Sequence, residues 1–455
     1  MAEGGSRLGL FGTDGARGVA NVELTAELAL QIGLAAGSAL GPGATVLVGR
    51  DTRLSGPLLE AAVSAGLASA GVEVLSCGLL PTPALAYLIR SFRAAAGVMI
   101  SASHNPPQYN GIKLLAGHGG KWDAEWEREV EQRIGRREWK LAEPSAVGNL
   151  TSVAEEGLAR YRDYLVSCFR GAVAPVHAVV DLAYGAAVAT VVPVLEALGV
   201  RVEAICDLPR GRWINQECGA THPERLSRAV VERGADVGFA FDGDADRLIA
   251  VDEKGRVVDG DAILYALARG WAERGELNPS EVVATVMSNF GLEQALKALG
   301  IRLWRTPVGD RWVAQAMRER GAAIGGEQSG HIILHPWGET GDGLITALAL
   351  LREMARAHAS LAALTAGFEP FPQVLRNVKI PARYRDWEAI PGLKELAAAA
   401  QAALGEAGRV FIRRSGTEPV LRIMVEGRDA ETIEQWADRL AAVVDEALES
   451  ASARP

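Results

Sequence analysis

Short apolar runs of strand length alternate with longer amphipathic stretches along most of the chain. TVLVGRDT (45–52) leads to SAGVEVL (69–75), HAVVDLAYGA (177–186) to EALGVRVEAI (196–205), and VVATVMSNFG (282–291) to KALGIRLW (297–304). In each pair a glycine (Gly71, Gly199, Gly300) closes the helical stretch and an apolar–charged–apolar segment follows. That pattern predicts strand, helix, glycine stop and strand. Its recurrence predicts three related mixed α/β domains, since a spacing of roughly 130 residues is too long for a solenoid repeat. After residue 370 the pattern changes to strand (QVLRNVKIP), Ala-rich helix, two strands (RVFIRRS and VLRIMVEG) and an amphipathic helix, which predicts a smaller C-terminal α+β domain. Polar GRREWKLAEPSAVGN near residue 140 and Pro-punctuated FEPFPQV near 370 read as boundaries. The expected domains are residues 1–150, 151–255, 256–368 and 369–455.

Length and composition agree with this division. A chain of 455 residues exceeds one hydrophobic core, and 49% hydrophobic with 23% charged residues is ordinary for globular proteins. No apolar run reaches the roughly 20 residues that span a bilayer, and the N-terminal sequence lacks a secretory apolar core, so no membrane association and a cytoplasmic location are expected. A net charge of −9 argues against a nucleic-acid partner. The four cysteines (77, 168, 206 and 218) form no C-x-x-C pair, which makes a disulfide or zinc framework unexpected.

Five segments carry candidate chemistry. Asp242, Asp244 and Asp246 lie in DGDAD between two apolar runs, on a loop after a buried strand, where alternate carboxylates suit Mg²⁺ or Ca²⁺. An EF-hand would place Glu253 at its twelfth position, but Arg247 stands where its turn requires Gly. A solvated acidic turn is the bland alternative. SASHNPPQYNGIK (101–113) exposes Ser103 beside His104, with Lys113 nearby; the serine reads as a nucleophile or equally as a helix cap. No G-x-S-x-G elbow supports a triad hydrolase. GGEQSGH (325–331) offers Glu327, Ser329 and His331 to a polyhydroxylated ligand, or is a tight polar turn. RRSGTEPVLR (413–422) supplies guanidinium, hydroxyl and amide donors for a phosphate, or forms a charged hairpin tip. FGTDGARG (11–18) places Arg17 in a Gly-punctuated loop. Walker A and dinucleotide fingerprints are absent: Gly120-Lys121 continues into Trp122.

Together, in this order and spacing, the five segments resemble the α-D-phosphohexomutase superfamily over essentially the whole chain. INQECGATHPERL, VDGDAILYALA, TVMSNFGLEQALKALGI and VGDRWV are similar to its glucosamine-phosphate branch. The resemblance implies three α/β domains and a smaller fourth around a central cleft. It implies a phosphohexose mutase that interconverts glucosamine 6-phosphate and glucosamine 1-phosphate and feeds amino-sugar nucleotide and cell-wall synthesis. Ser103 would carry the phosphoryl group and, with Asp242, Asp244 and Asp246, hold Mg²⁺. Arg17, Lys113 and Arg247 would flank the transferred group, with Lys113 and His331 as candidate acid and base. Glu327, Ser329 and His331 would read the sugar, and Arg414, Ser415, Gly416, Thr417 and Arg422 the distal phosphate. A sugar 1,6-bisphosphate as intermediate and a homodimer are further implications. The chain departs from the family at Tyr109, where Asp is common, and at Ala220, where Ser is common. Rival readings are a phosphomannomutase or phosphoglucomutase of broad specificity, a non-catalytic phosphosugar-binding protein, and a metal-dependent phosphatase.

Overall fold

The segments with apolar runs bounded by glycine and polar turns become strands, and the amphipathic stretches between them become helices. The computed structural model describes residues 9–452 except Thr13, Ala174, 382–386 and 415–419. One unit comprises residues up to Met287 together with Leu299–Ala366; the other comprises Ser288–Ala298 and the chain from Gly367 onward.

The first unit contains three sheets. The first has β1 (Ala16–Val19), β2 (Thr45–Arg50), β3 (Glu73–Leu79), β4 (Ala96–Ile100), β5 (Tyr109–Ala116) and β6 (Leu150–Ser152), in the order β1-β5-β4-β2-β3-β6. The second has β7 (His177–Asp181), β8 (Arg201–Ile205), β9 (Val237–Phe241), β10 (Leu248–Asp252) and β11 (Val257–Val258), ordered β11-β10-β9-β7-β8. The third has β12 (Glu281–Thr285), β13 (Arg302–Thr306), β14 (Ile324–Gly326) and β15 (Ile332–Leu334), ordered β13-β12-β14-β15. Strand β6 straddles residue 150 and pairs parallel to β3.

One topology recurs. Strands β3-β2-β4, β8-β7-β9 and β13-β12-β14 are parallel triplets, and in each case the third strand turns back into an antiparallel neighbour (β5, β10 or β15). Parallel strands are covered on both faces and read as continuous apolar runs, as VGFAF in β9 does with every residue buried. Gly71, Gly199 and Gly300 all take positive φ, the left-handed conformation that stops a helix without a Cβ clash. The three turns after β4, β9 and β14 carry Ser103, the DGDAD aspartates and EQSGH.

The second unit has the antiparallel sheet β16 (Gln373–Lys379), β17 (Gly408–Arg414) and β18 (Val420–Gly427), with β18 central. Helices Leu393–Leu404 and Ala430–Ser452 cover it through Leu393, Ala400, Ile433, Ala437, Leu440 and Val444. Helix Phe290–Ala298, which in sequence connects β12 to β13, groups with this unit: the Asn289 side chain bonds both the N–H and the carbonyl of Phe371, and the Phe290 N–H donates to buried Glu426. Among the described residues no helix is long and apolar enough to cross a membrane.

Asp342 starts the helix Gly343–Ala357 by accepting from the N–H groups of Leu344 (2.9 Å) and Ile345 (3.0 Å), and the Tyr161 hydroxyl donates to it at 2.6 Å. Burial pushes its carboxyl up to about 6, against those donors. A raised carboxyl favours the fold while protonated. Its contribution, on the order of 1–3 kcal/mol, is therefore present below about pH 4 and lost as pH rises through about 6. Thermal melts from pH 4 to 7 should show that loss in the wild type, and the Asp342→Asn protein, which cannot ionise there, should lack that part of the slope.

Candidate functional site

Ser103 follows β4, on a turn whose backbone the chain does not adopt without help. Its φ is +50°, a left-handed value that a side chain disfavours, and it persists because every polar atom nearby is held. The Ser103 N–H donates to Ser101 Oγ at 2.9 Å, and its carbonyl accepts from Arg53 Nη2 and Asn215 Nδ2, both at 2.8 Å. Arg53 is fully buried. Its guanidinium donates to the carbonyls of Ser103, Asn105 (2.7 Å), Pro106 (2.6 Å) and Tyr109 (2.8 Å), while Nε pairs with Asp51 at 3.0 Å. A guanidinium has five N–H donors in a fixed fork, and here four serve one turn while the fifth pairs with Asp51. Asp51 in turn accepts from Ser101 Oγ at 2.6 Å.

So constrained, Ser103 Oγ donates to Asp242 Oδ2 at 2.6 Å. Asp242, Asp244 and Asp246 sit on the turn between β9 and β10, all buried, and each offers an oxygen within 4.8 Å of the others'. Gly243 is required between them: a Cβ there would lie 2.5 Å from the Ser103 carbonyl oxygen. Lys113 on β5 reaches Asp244 at 2.7 Å, Asp14 at 3.3 Å and Asp246 at 3.4 Å. Thr82, at the start of the helix Thr82–Ser91, donates through its hydroxyl to Asp244 Oδ2 at 2.5 Å.

The electrostatics follow from this crowding. Burial and then the charges of Asp246 and Asp244 push the Asp242 carboxyl well above its usual value. Burial opposes ionisation of Asp246 too, but Lys113, His331 and Arg247 hold it below the ordinary carboxylate range. Burial works against the Lys113 ammonium, yet Asp14, Asp244 and Asp246 keep it protonated well above the usual lysine value. Burial and the cations Arg247 and Arg17 push His104, whose Nδ1 lies 3.3 Å from Ser103 Oγ, down to about 4. His104 is therefore a neutral neighbour of the serine.

The donor set fits a hard divalent cation. Three carboxylates converge, and Asp244 Oδ1 and Asp246 Oδ1 are buried with no hydrogen-bond partner among the described residues, an arrangement that is costly until a cation satisfies it.

His331 sits just before β15, buried, with Nδ1 3.7 Å from Asp246 and Nε2 3.6 Å from Asp310. Burial lowers its affinity for a proton, but Asp246, Asp310 and Glu327 outweigh burial and raise it to about 9. Its Nε2 also accepts from the Gly341 N–H at 3.1 Å, so full protonation of the ring requires that bond to break. Glu327 accepts from the Gly309 N–H at 3.2 Å, and Ser329 is exposed on the same turn. Arg247 is placed by its N–H on Asp242 (3.3 Å), with Nε 3.9 Å from Asp246. Arg17 corrects an expectation: it lies within strand β1, paired with Gly111, rather than on a loop, and its Nη1 donates to Asn105 at 3.0 Å. Tyr109 and Ala220, the two departures, serve locally; the Tyr109 carbonyl accepts from Arg53, and Ala220 packs beside the core around Leu226.

Ser103, Arg17, Lys113, Asp242, Asp244, Asp246, Arg247, Glu327 and His331 thus gather in the first unit. Arg414 and Arg422 belong to the second, where Arg413 pairs directly across from Arg422. Burial and that neighbouring guanidinium lower Arg413, and opposed cations of this kind are relieved by an anion. Ser415, Gly416 and Thr417 lie outside the described residues. Sequence reading missed Asp51, Arg53, Ser101 and Asn215, which build the serine turn. It also missed Lys121, which bridges Asp14 and Asp310 at 2.6 Å each. The charged run GRDTR directly after an apolar strand was the available signal for the first two.

Four family models match consecutive parts of the chain. They are the phosphoglucomutase/phosphomannomutase α/β/α domains I (residues 8–140), II (159–255) and III (259–371), and the C-terminal domain of the same family (375–443). Phosphoglucosamine mutase of Rhodococcus jostii is 48% identical over 441 residues, 96% of this chain and 99% of that protein. The enzyme of the same name from Thermoanaerobacter pseudethanolicus is also 48% identical, with the same coverage. Among solved structures, a phosphoglucomutase/phosphomannomutase family protein of Burkholderia thailandensis superposes with a TM-score of 0.80 at 26% identity, covering 96% of this chain and 97% of that one.

Replacing Arg53 with Lys keeps the charge and removes the fork. Four carbonyls and Asp51 then share three rotatable donors, so the variant should be less stable by roughly 2–4 kcal/mol. Chemical denaturation would read this directly; an unchanged midpoint would show that the turn does not depend on the guanidinium.

Proposed function

The chain belongs to the phosphoglucomutase/phosphomannomutase family, and on that premise we propose that it interconverts glucosamine 6-phosphate and glucosamine 1-phosphate in the cytoplasm, through phosphorylated Ser103. The observation that carries this reading is the Ser103 hydroxyl at 2.6 Å from one of three clustered, buried aspartates. Names of relatives 48% identical over nearly their full length support the amino-sugar substrate.

In this reading Asp242, Asp244, Asp246 and an oxygen on phosphorylated Ser103 hold Mg²⁺. The ion, when bound, supplies positive charge against the transferred phosphoryl group. The chain's own residues do the rest. Arg53 and Asn215 fix the serine turn, and Arg17, Arg247 and the Lys113 ammonium neutralise phosphoryl oxygens. Glu327, Ser329 and His331 orient the sugar hydroxyls. Lys113, held charged by three carboxylates, and His331, raised to about 9, both enter as proton donors, and either serves as a base only after its proton has been given up. A hydroxyl of the sugar phosphate attacks the Ser103 phosphorus and the Ser103 oxygen leaves, giving a 1,6-bisphosphorylated sugar. That intermediate reorients and returns its other phosphate to Ser103. Arg414, Arg422 and the segment 415–417 hold the phosphate that is not reacting, in either orientation.

A coupled assay of glucosamine 6-phosphate isomerisation, with Mg²⁺ and catalytic sugar bisphosphate, should give a higher kcat/KM than glucose or mannose phosphates. A preference for glucose or mannose would move the chain to another branch of the family, and release of inorganic phosphate without isomerisation would mark a phosphatase. Ser103→Ala should lose at least about 10³-fold in kcat while still binding sugar phosphate, since only the covalent carrier is removed. Chelation of Mg²⁺ should abolish turnover reversibly, and Asp244→Ala should weaken Mg²⁺ binding in calorimetry. Arg414→Ala should act mainly on KM, raising it by about tenfold.

A further inference from the structure

Two of the four cysteines, separated in the sequence and in no C-x-x-C pair, meet at the rim of the second sheet. Cys206 follows β8 and Cys218 ends the long loop after it; both thiols are free, and both are buried. Their sulfurs and a carboxylate oxygen of Asp181 all lie within 4.8 Å of one another. Asp181 is already committed to the N–H groups of Ala183 and Gly219, both at 3.0 Å, and so ties the turn after β7 to the segment that bears Cys218, while the Tyr184 N–H on that turn donates to the Cys206 carbonyl at 2.9 Å. The backbone there is under tension: Ala183, Tyr184, Cys206, Asn215 and Glu217 all take left-handed φ between 51° and 58°. Left-handed side-chain-bearing residues cluster where a segment has two arrangements to choose between.

The loop that the two cysteines delimit reaches the serine turn. Gly211 packs so closely on the segment that follows β2 that a Cβ would fall 1.8 Å from the Thr52 carbonyl oxygen. Asn215 donates to the carbonyls of Ser103 (2.8 Å) and Asn105 (3.1 Å). Ile214 and Asn215 both press on Gly243, between two of the aspartates. Cys218 therefore sits three residues from a side chain that holds the nucleophile's backbone.

The chemistry of the pair is asymmetric. The neighbouring Cys218 thiol, with Arg225 nearby, holds Cys206 below the ordinary thiol value against the effect of burial, while Cys218 is raised. Arg225 and Tyr184, which flank Cys206, also line a cavity of about 590 Å³ with Trp213, Glu217 and His222, which brings solvent to within one side chain of the pair.

We propose that Cys206 and Cys218 form a peroxide-responsive thiol pair whose closure to a disulfide displaces Asn215 and slows transfer at Ser103. The Cys206 thiolate attacks a peroxide oxygen, the O–O bond breaks, and sulfenic acid forms with release of hydroxide, which takes the thiol proton as water. Cys218 sulfur then attacks the sulfenic sulfur; the S–S bond forms, the S–O bond breaks, and hydroxide leaves with the Cys218 proton as a second water. Two thiols are oxidised and one peroxide is reduced. An external dithiol reverses the step by exchange. A disulfide needs sulfurs about 2.05 Å apart, so closure must draw the two segments or their side chains together.

The effect on turnover rests on the function proposed above; the disulfide does not. The full chain, freed of reductant, would be treated with hydrogen peroxide and mapped as non-reduced peptides by mass spectrometry. A linked Cys206–Cys218 peptide is expected, with Cys77 unlinked, and isomerisation of glucosamine 6-phosphate should fall by about tenfold, the loss of roughly one well-made positioning hydrogen bond. Dithiothreitol should restore it. Cys206→Ser and Cys218→Ser should each keep the reduced protein's turnover and lose the peroxide response. Absence of the linked peptide, oxidation confined to Cys168, or a copurifying soft metal that blocks oxidation would overturn the pair. A linked peptide with unchanged turnover would overturn its coupling to Ser103, and because the map needs no substrate, failure of the mutase reading would be seen separately.

Discussion

Three buried carboxylates share one turn, and the rest of the first unit is arranged around that charge. Two unit charges 4 Å apart interact by about 4 kcal/mol at the effective dielectric of a partly solvated protein, so the repulsion within Asp242, Asp244 and Asp246 is not small beside total fold stability. Lys113 answers part of it from the first sheet, His331 answers another part from the third, and Arg247 adds a third cation from the aspartates' own turn. Elements distant in sequence are thereby tied at their strand ends by the same ionic cluster. One ammonium, one imidazole and one guanidinium do not satisfy all the oxygens, since two carboxylate atoms have no hydrogen-bond partner among the described residues. The site is built to receive more positive charge than the chain supplies.

The recurring topology explains how such a cluster is assembled. Each of the three sheets has a parallel triplet whose third strand reverses, and each reversal holds one functional turn at the carboxyl end of that strand. Strand ends in open α/β sheets leave backbone groups and side chains directed away from the packed layers, which is why ligands collect there. Three copies of one unit place the Ser103 turn, the turn of the three aspartates and the EQSGH turn in equivalent positions. Divergence of the turns, with the scaffold kept, is enough to give them different chemistry. Family membership agrees with this reading, since the matched models cover each copy separately.

The periodicity of apolar residues made the strands, the helices and the glycine stops legible, because those depend on neighbours in the sequence. The DGDAD and SASHN turns were legible for the same reason. Arg53 was not, since its value lies in four carbonyl oxygens between residues 103 and 109; GRDTR marks a charged strand end but not what it holds. Asn215 was quoted within a motif but acts through a contact with a turn more than a hundred residues earlier. Arg17 was expected on a loop because Gly12, Gly15 and Gly18 surround it; pairing with β5 over Ala16–Val19 overrides that local signal. The cysteines show the same limit, since spacing alone separates Cys206 from Cys218 while the fold brings them together.

The left-handed Ser103 gives the constraint its functional sense. A hydroxyl on an extended or helical backbone would settle its oxygen by side-chain rotation alone, and loss of its proton on phosphorylation would free the turn. Here the backbone is fixed from both sides, by Ser101 on its N–H and by Arg53 and Asn215 on its carbonyl, none of which involves the side-chain oxygen. In the proposed reaction the turn would therefore keep its position whether Ser103 bears a proton or a phosphoryl group. Phosphoryl transfer asks a protein chiefly for placement and charge, and a carrier that alternates between two covalent states needs placement that neither state supplies. The fully used guanidinium of Arg53 provides it, and the unfavourable backbone angle is retained because relaxing it would unpair several buried polar groups at once.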